Sequence, residues 1–125
     1  MSHIVQIKTQ INSEAAVQAA CRRLKLPPAQ HGTFELYRES VTGLGVELKD
    51  WKFPVVANLQ TGEVKFDNYE GRWGIQSNLD QFIQRYAVEA ATIAARKQGH
   101  SVQEQRLDDG SVKLSFRLEV HFEDH

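Results

Sequence analysis

The chain is almost without cysteine, since Cys21 is the only one in 125 residues. One thiol can form neither an intramolecular disulfide nor a thiolate metal site within one chain, which favours a reducing compartment. The sequence also has no run near the ~18 apolar residues that cross a bilayer, and its first residues lack the apolar stretch of a signal peptide. We therefore predict a cytoplasmic protein with no membrane partner.

Neither sign of charge is in excess, because 15 Lys and Arg stand against 16 Asp and Glu. Domains that bind nucleic acid usually carry a basic excess, since each neutralised phosphate needs a cation. The balance therefore disfavours a nucleic-acid partner. The densest basic cluster, Arg22, Arg23 and Lys25, falls at the end of a predicted helix. There it complements the helix dipole, and phosphate binding is the alternative.

Hydrophobic residues make up 41% of the chain and charged residues 25%, which is an ordinary globular composition. The length fits one domain, residues 1–125. Apolar residues recur at helical spacing in 13–25 and 78–98, and the second helix is predicted to begin at Ser77 and to end at Gly99. Alternation predicts strands. The predicted strands are 3–11, 33–38, 44–49, 53–59, 64–66, 101–107 and 112–120.

The order of these elements predicts an α+β fold. We expect an antiparallel or mixed sheet of about five to seven strands, with two helices packed on one face. Gly43 and Gly45 suggest a bend or bulge in their strand. The last two strands form a hairpin, in which Leu114, Phe116 and Leu118 share one face and are predicted to point at the core.

Three stretches, taken in order, carry a resemblance to a known family: residues 1–11, residues 67–74, and Gln84-Arg85-Tyr86-Ala87 followed by Gly99 and the terminal hairpin. The set resembles small hypothetical chloroplast reading-frame proteins of unknown function, found in bacteria, cyanobacteria and algal plastids. Residues 26–62 take no part in the resemblance. It implies no activity. It implies as partners an AAA-type ATPase or a ferredoxin-like protein, whose genes lie near those of the family in some genomes.

The loop before the long helix is one candidate site, with Tyr69, Glu70, Arg72 and Trp73 beside two glycines. Free N–H groups near a helix N-terminus can bind an anion or a peptide carboxylate. Arg72 would then hold the ligand and Trp73 would stack on it. The alternative is a structural turn whose Tyr69 and Trp73 fill the core, which the large burial energy of aromatic rings favours.

A second aromatic and basic patch, Trp51-Lys52-Phe53, has the pattern of a stacking site for single-stranded nucleic acid. Two rings and one lysine do not specify one, and packing at a strand end is favoured. The histidines show no metal-binding spacing, and no catalytic residue, metal or cofactor is predicted. Arg85 and Glu89 have the spacing of a surface ion pair on the long helix.

Val88, Ala91 and Ala95 lie off the main apolar stripe of the long helix. Either a second layer of the same chain or a partner helix covers them, or the alanines are simply good helix formers. Our functional hypothesis is a non-enzymatic adaptor that binds a protein partner or itself through this face and the 69–74 loop. The alternative is an enzyme dependent on a metal or a small ligand, built around Tyr69, Glu70, Arg72 and His3.

Overall fold

The structure is a computed structural model that describes residues 4–7, 10–37 and 39–118, with side chains except those of 4–7, Glu70 and Leu118. In chain order the elements are β1 (Ile4–Ile7), α1 (Glu14–Arg23), β2 (Gln30–Glu35), β3 (Ser40–Val46), β4 (Val55–Asn58), β5 (Glu63–Asp67), a 3₁₀ turn (Tyr69–Gly71), α2 (Gln76–Lys97), β6 (His100–Arg106) and β7 (Val112–Leu118). The α+β class and the two helices are confirmed.

The strands do not form one sheet. Five of them make an antiparallel sheet in the order β1-β5-β4-β3-β2, and β6 and β7 pair separately. Strands β2 to β5 follow one another as a meander, and β1 joins it at β5. This leaves β2 at one edge of the larger sheet.

Both helices pack on one face of the five-stranded sheet. Alternate residues of β3, β4 and β5 point to that face and join the buried residues of α1 and α2 in one hydrophobic core. The largest of its fully buried side chains are Phe66, Phe82, Ile11, Leu44 and Leu79. The other face of the sheet, the open face, carries no helix in the described part of the chain.

Local chemistry explains where the helices begin and end. Helix α1 begins as predicted, because the Ser13 hydroxyl accepts a hydrogen bond from the Ala16 N–H at 3.1 Å. Helix α2 begins at Gln76 after Ile75, with no side-chain cap, so the predicted cap at Ser77 is wrong. Its end is as predicted: Gly99 has a φ of +82°, which glycine adopts at little cost.

The β6–β7 hairpin lies on the side of α2 opposite the core. Strand β6 follows α2 closely in sequence and packs back along it, and β7 lies further out. The protein thus has three layers, in the order sheet, helices and hairpin.

The hairpin pairs as predicted, but its apolar face is not core. Phe116 is 50% exposed and Leu114 only half-buried, because β7 packs less closely on α2 than β6 does. The side chain of Leu118 and the residues from 119 onward lie outside the described part. The prediction that this face points at the core is therefore wrong at Phe116.

Strand boundaries in the middle of the chain also differ from the prediction. The predicted strands 33–38 and 44–49 are 30–35 and 40–46, joined by a tight turn that the Leu36 N–H and the Glu39 carbonyl close at 2.8 Å. The pairing runs unbroken through Gly43 and Gly45, so there is no bulge. A Cβ at Gly45 would lie 2.4 Å from the Phe34 ring, and this close approach explains the glycine.

Candidate functional site

The two aromatic segments that the sequence suggested separately meet in space. The backbone N–H of Lys52, between β3 and β4, donates to the carbonyl of Trp73, between β5 and α2, at 2.8 Å. The indole N–H of Trp51 donates to the carbonyl of Ile75 at 3.1 Å. These two hydrogen bonds join the connections on either side of β4 and β5 into one surface.

Four rings form what we term the aromatic cluster: Tyr37, Phe53, Tyr69 and Trp73. Trp73 is its centre, because each of the other rings has its centroid within 5.4 Å of the Trp73 centroid. Tyr69 stacks on Trp73 at 4.7 Å, and Phe53 meets it edge-on. The cluster is half-buried, and Tyr37 on its rim is 46% exposed.

Two cations lie over these rings. Lys52 Nζ is 4.7 Å from the Trp73 centroid, and the Arg72 guanidinium carbon is 5.1 Å from that of Tyr69. A cation at this distance over an aromatic face is attracted by the ring quadrupole. Both side chains remain exposed, so the cluster presents aromatic surface and positive charge together.

Four backbone N–H groups of the 69–74 loop are bound within the loop itself. The N–H groups of Gly71 and Trp73 both donate to the Asn68 carbonyl, and that of Arg72 donates to the Tyr69 carbonyl. The Tyr69 N–H donates to the buried Asp67 carboxylate at 3.3 Å. Because these donors are used within the loop, they are not available to a ligand. Trp73 is the centre of the aromatic cluster, and Arg72 lies over the Tyr69 ring. The side chain of Glu70 is outside the described part.

Gly74 allows the two segments to approach each other. A Cβ at this position would lie 2.3 Å from Cδ2 of the Trp51 indole. Trp51 in turn meets Phe66 edge-on, with centroids 5.6 Å apart. Trp51 therefore anchors the site on the core, whereas Trp73 carries the exposed rings. The sequence around Trp51 and Trp73 does not show which tryptophan anchors the site and which carries the exposed rings.

A groove of about 390 Å³ adjoins the cluster at the β2 edge of the sheet. Phe34 lies across Gly45 on its floor. Lys52 and Phe53 belong to both the groove and the cluster surface. Other residues that line the groove are Pro28, Glu35, Glu47 and Pro54. No pattern in the sequence indicated this groove, because its walls come from four separate segments.

The second predicted contact surface is largely covered by the chain itself. Val88 is 6% exposed and Ala95 is 8% exposed, and Ala91 is half-buried. These residues lie on the side of α2 that carries the hairpin, so a second layer of the same chain is the alternative that the structure supports. Binding through Val88 and Ala95 would require the hairpin to move away.

An ion network that the sequence did not predict joins the two helices to the hairpin. Glu89 is 6% exposed and accepts hydrogen bonds from Arg23 at 3.1 Å and from Arg85 at 3.4 Å. Arg85 also donates to both carboxylate oxygens of Glu104 on β6, at 2.5 and 3.2 Å. The expected surface pair of Arg85 and Glu89 is therefore a buried one. The spacing indicated that pair, but not Arg23 or Glu104.

The described residues contain no group of three or more His, Cys, Asp or Glu that could hold a metal ion. His3 lies outside them, so the enzyme hypothesis built on it stays a prediction. Neither described helix is long and apolar enough to cross a membrane. Comparisons with protein-family models, curated proteins and solved structures give no significant match. The resemblance to the chloroplast reading-frame family thus also stays a prediction.

Proposed function

We propose that the chain is a cytoplasmic, non-enzymatic binding module that takes an extended segment of another protein across the aromatic cluster and the adjoining groove. The observation that carries the proposal is the meeting of residues 51–53 with residues 69–74. Together with Tyr37 from the β2–β3 turn, it gathers four aromatic rings and two exposed cations on one surface next to a groove.

The chemistry of this surface is that of protein interfaces. Aromatic residues and arginine are enriched among the residues that dominate binding energy, and aromatic rings supply large contact area with few rotatable bonds. Tyr37 and Trp73 leave ring surface exposed, and Arg72 lies over the neighbouring Tyr69 ring. These residues are held by the packing of the cluster, so little entropy remains to be lost when a partner binds.

The edge strand β2 favours an extended segment. Leu36 and Glu39 close the β2–β3 turn with a backbone hydrogen bond. The alternation of an antiparallel ladder then directs the N–H and C=O groups of His31, Thr33 and Glu35 away from β3. An added strand can pair with such an edge and place alternate side chains in a neighbouring groove. Lys52 and Arg72 favour a carboxylate in that segment, and Glu35 and Glu47 favour a basic residue nearer the edge.

Selection of displayed random peptides on the purified protein tests the proposal. We expect enriched peptides with an acidic residue next to an apolar one. Their addition should shift the indole N–H resonance of Trp73 in a ¹⁵N–¹H spectrum. The double variant K52A/R72A should weaken binding at least tenfold, which corresponds to about 1.4 kcal/mol.

The matched control is R96A/K97A, which removes the same charge from the exposed last turn of α2. It should bind the selected peptides as the unmodified protein does. Equal weakening in both double variants would mean that only net charge matters, and the proposal would then be wrong. Failure to enrich any peptide that shifts Trp73 would overturn it too.

A further inference from the structure

We propose that the cavity between α2 and the β6–β7 hairpin is a second binding site, for a small molecule that carries an oxyanion group, phosphate or carboxylate. The cavity has a volume of about 410 Å³ and lies where the end of α1, the middle of α2 and the hairpin turn meet. Volumes of this size are typical of small-molecule sites. The cavity shares no lining residue with the aromatic cluster or with the groove beside it.

The charges around the cavity are predominantly positive. Arg85 and Arg106 line it, and no acidic residue is among its lining residues in the described part of the chain. Two carboxylates lie behind the lining. Glu89 is paired with Arg23 and Arg85, and Glu104 is bound by both terminal nitrogens of Arg85. Three arginines thus face two carboxylates, which leaves one positive charge without a counterpart.

Arg106 is the cation that remains available. It is exposed, and no ion pair to it occurs among the described residues. In the hairpin register Arg106 stands opposite Val112, on the same side as Glu104 and therefore on the side that faces α2. Its guanidinium can approach an oxyanion with two parallel N–H donors, the geometry that carboxylate and phosphate accept.

Arg85 gives the cavity a fixed wall. Its side chain is only 12% exposed, and its contact with Glu104 holds the guanidinium plane. The same contact raises the pKa of Arg85 and lowers the pKa of Glu104, whose pKa Arg23 and Arg106 lower further. All three arginines are therefore close enough to act on one carboxylate. Among the residues that the structure describes, the buried Arg85 Nε–H has no hydrogen-bond acceptor, and such a donor favours an oxygen nearby.

The remaining walls suit a small organic anion. Gln81 can donate from its amide, and Gln84 donates to the Gly110 carbonyl at 3.3 Å, which holds the hairpin turn over the cavity. Leu24 and Val112 supply apolar contact for the body of a ligand. Beside Leu24 the chain carries Arg22 and Lys25, both exposed, which attract anions to this side of the molecule.

Two acidic residues in the hairpin turn moderate that attraction. The Asp109 carboxylate is engaged within the turn, where it accepts hydrogen bonds from the N–H and hydroxyl of Ser111. Asp108 is exposed. The site therefore fits a singly phosphorylated or carboxylated molecule better than a polyanion.

The test measures binding of inorganic phosphate, phenyl phosphate and benzoate to the purified chain by ¹⁵N–¹H spectroscopy. Phenyl phosphate should bind more tightly than inorganic phosphate, because its ring can contact Leu24 and Val112. The shifted amides should cluster at Gln84 and Gly110. Benzoate distinguishes the two oxyanions: tighter binding than phenyl phosphate assigns a carboxylate ligand, and weaker binding assigns a phosphate ester.

Arg106→Gln removes the available charge and should weaken binding about tenfold, the loss expected for one charge-assisted contact. The control is Arg117→Gln. Arg117 is an exposed arginine of the same hairpin that stands opposite Ser101, on the other side. It should leave binding unchanged. Equal loss in both variants, shifts spread over the surface, or no binding at millimolar ligand would overturn the proposal. None of these outcomes depends on the aromatic cluster.

Discussion

Gly74→Ala tests how the candidate site is held together. Gly74 lacks the positive φ that only glycine tolerates well, so alanine is permitted by the backbone. Its Cβ, however, would lie 2.3 to 2.7 Å from three atoms of the Trp51 indole. The indole has to move, although Phe66 and the Ile75 carbonyl hold it from two sides.

The cost follows from those two contacts. Forcing an extra methyl into packed surroundings costs about 1–3 kcal/mol. Losing the indole hydrogen bond adds about 1 kcal/mol. The lower chain entropy of alanine in the unfolded state returns about 0.4–1 kcal/mol. The net loss in the free energy of unfolding is about 2 kcal/mol, or roughly 6–10 °C in Tm for a domain of this size.

Urea unfolding followed by far-UV circular dichroism measures the loss, and a double-mutant cycle with Trp51→Leu assigns it. In the Trp51→Leu background Gly74→Ala should cost less than about 0.5 kcal/mol, since the ring that it strikes is gone. Gly71→Ala is the contrasting change. Gly71 has open space around it but a φ of +94°, so its cost is backbone strain and should not depend on Trp51. An equal cost of Gly74→Ala in both backgrounds would show that contact with the Trp51 ring is not the cause of the loss.

Three further results are expected. Phe82→Ala should lower the free energy of unfolding, measured with urea, by about 3–5 kcal/mol. Phe116→Ala should lower it by only about 1 kcal/mol, because half of the Phe116 surface is already exposed. Equal losses in the two variants would contradict the order of the layers. Because Arg85 lowers the pKa of Glu104, the stability difference between the unmodified protein and Glu104→Gln should be present at pH 7. This stability difference should shrink as the pH falls below ~4.3, the ordinary pKa of a glutamate, towards the lower pKa of Glu104 in the folded protein. Urea unfolding midpoints measured from pH 7 to pH 3 test this, and a difference that stays constant would contradict it. Burial covers the Cys21 thiol and raises its pKa, so iodoacetamide should label it at the rate of unfolding; rapid labelling of the native protein would contradict the described core.

The helices were predictable because their residues encode them locally. Apolar residues at helical spacing and the terminal Gly99 placed α2 to within about two residues, the usual uncertainty of a helix end. The wrong cap at the start of α2 also comes from reading a local signal. Ser77 is a good capping residue, but the preceding Gly74 and Ile75 already lead the chain into the helix, and Ser77 lies within α2.

The candidate site was predictable only as two fragments. The segments around Trp51 and Trp73 each showed an unusual mixture of rings and cations. Their meeting depends on the strand order β3-β4-β5, which no local pattern records. The same limit applies to Gly45. A glycine in a strand suggests a bulge or a close approach, and only the position of Phe34 shows which one occurs.

Phe116 shows why periodicity overestimates burial. Strict alternation identifies the apolar side of β7 correctly, since Phe116 stands opposite Val102 on the side that also carries Glu104. It does not show how much of that side another layer covers. A two-stranded sheet that rests on one helix meets too little opposing surface to bury every apolar residue on the side that faces the helix.

The position of β1 has a consequence for the order in which the chain folds. Strands β2 to β5 pair with their neighbours in sequence across short connections, so each pairing closes a small loop. Strand β1 pairs with β5 only after the chain has enclosed α1 and three intervening strands. The entropy cost of closing a loop rises with its length, and contacts between distant segments form more slowly. We therefore expect the meander to form first and to offer β5 as an open template. We thus expect β1 to pair after the meander although it precedes the meander in the chain, and until then β5 remains an unprotected edge on which a second nascent chain could pair instead.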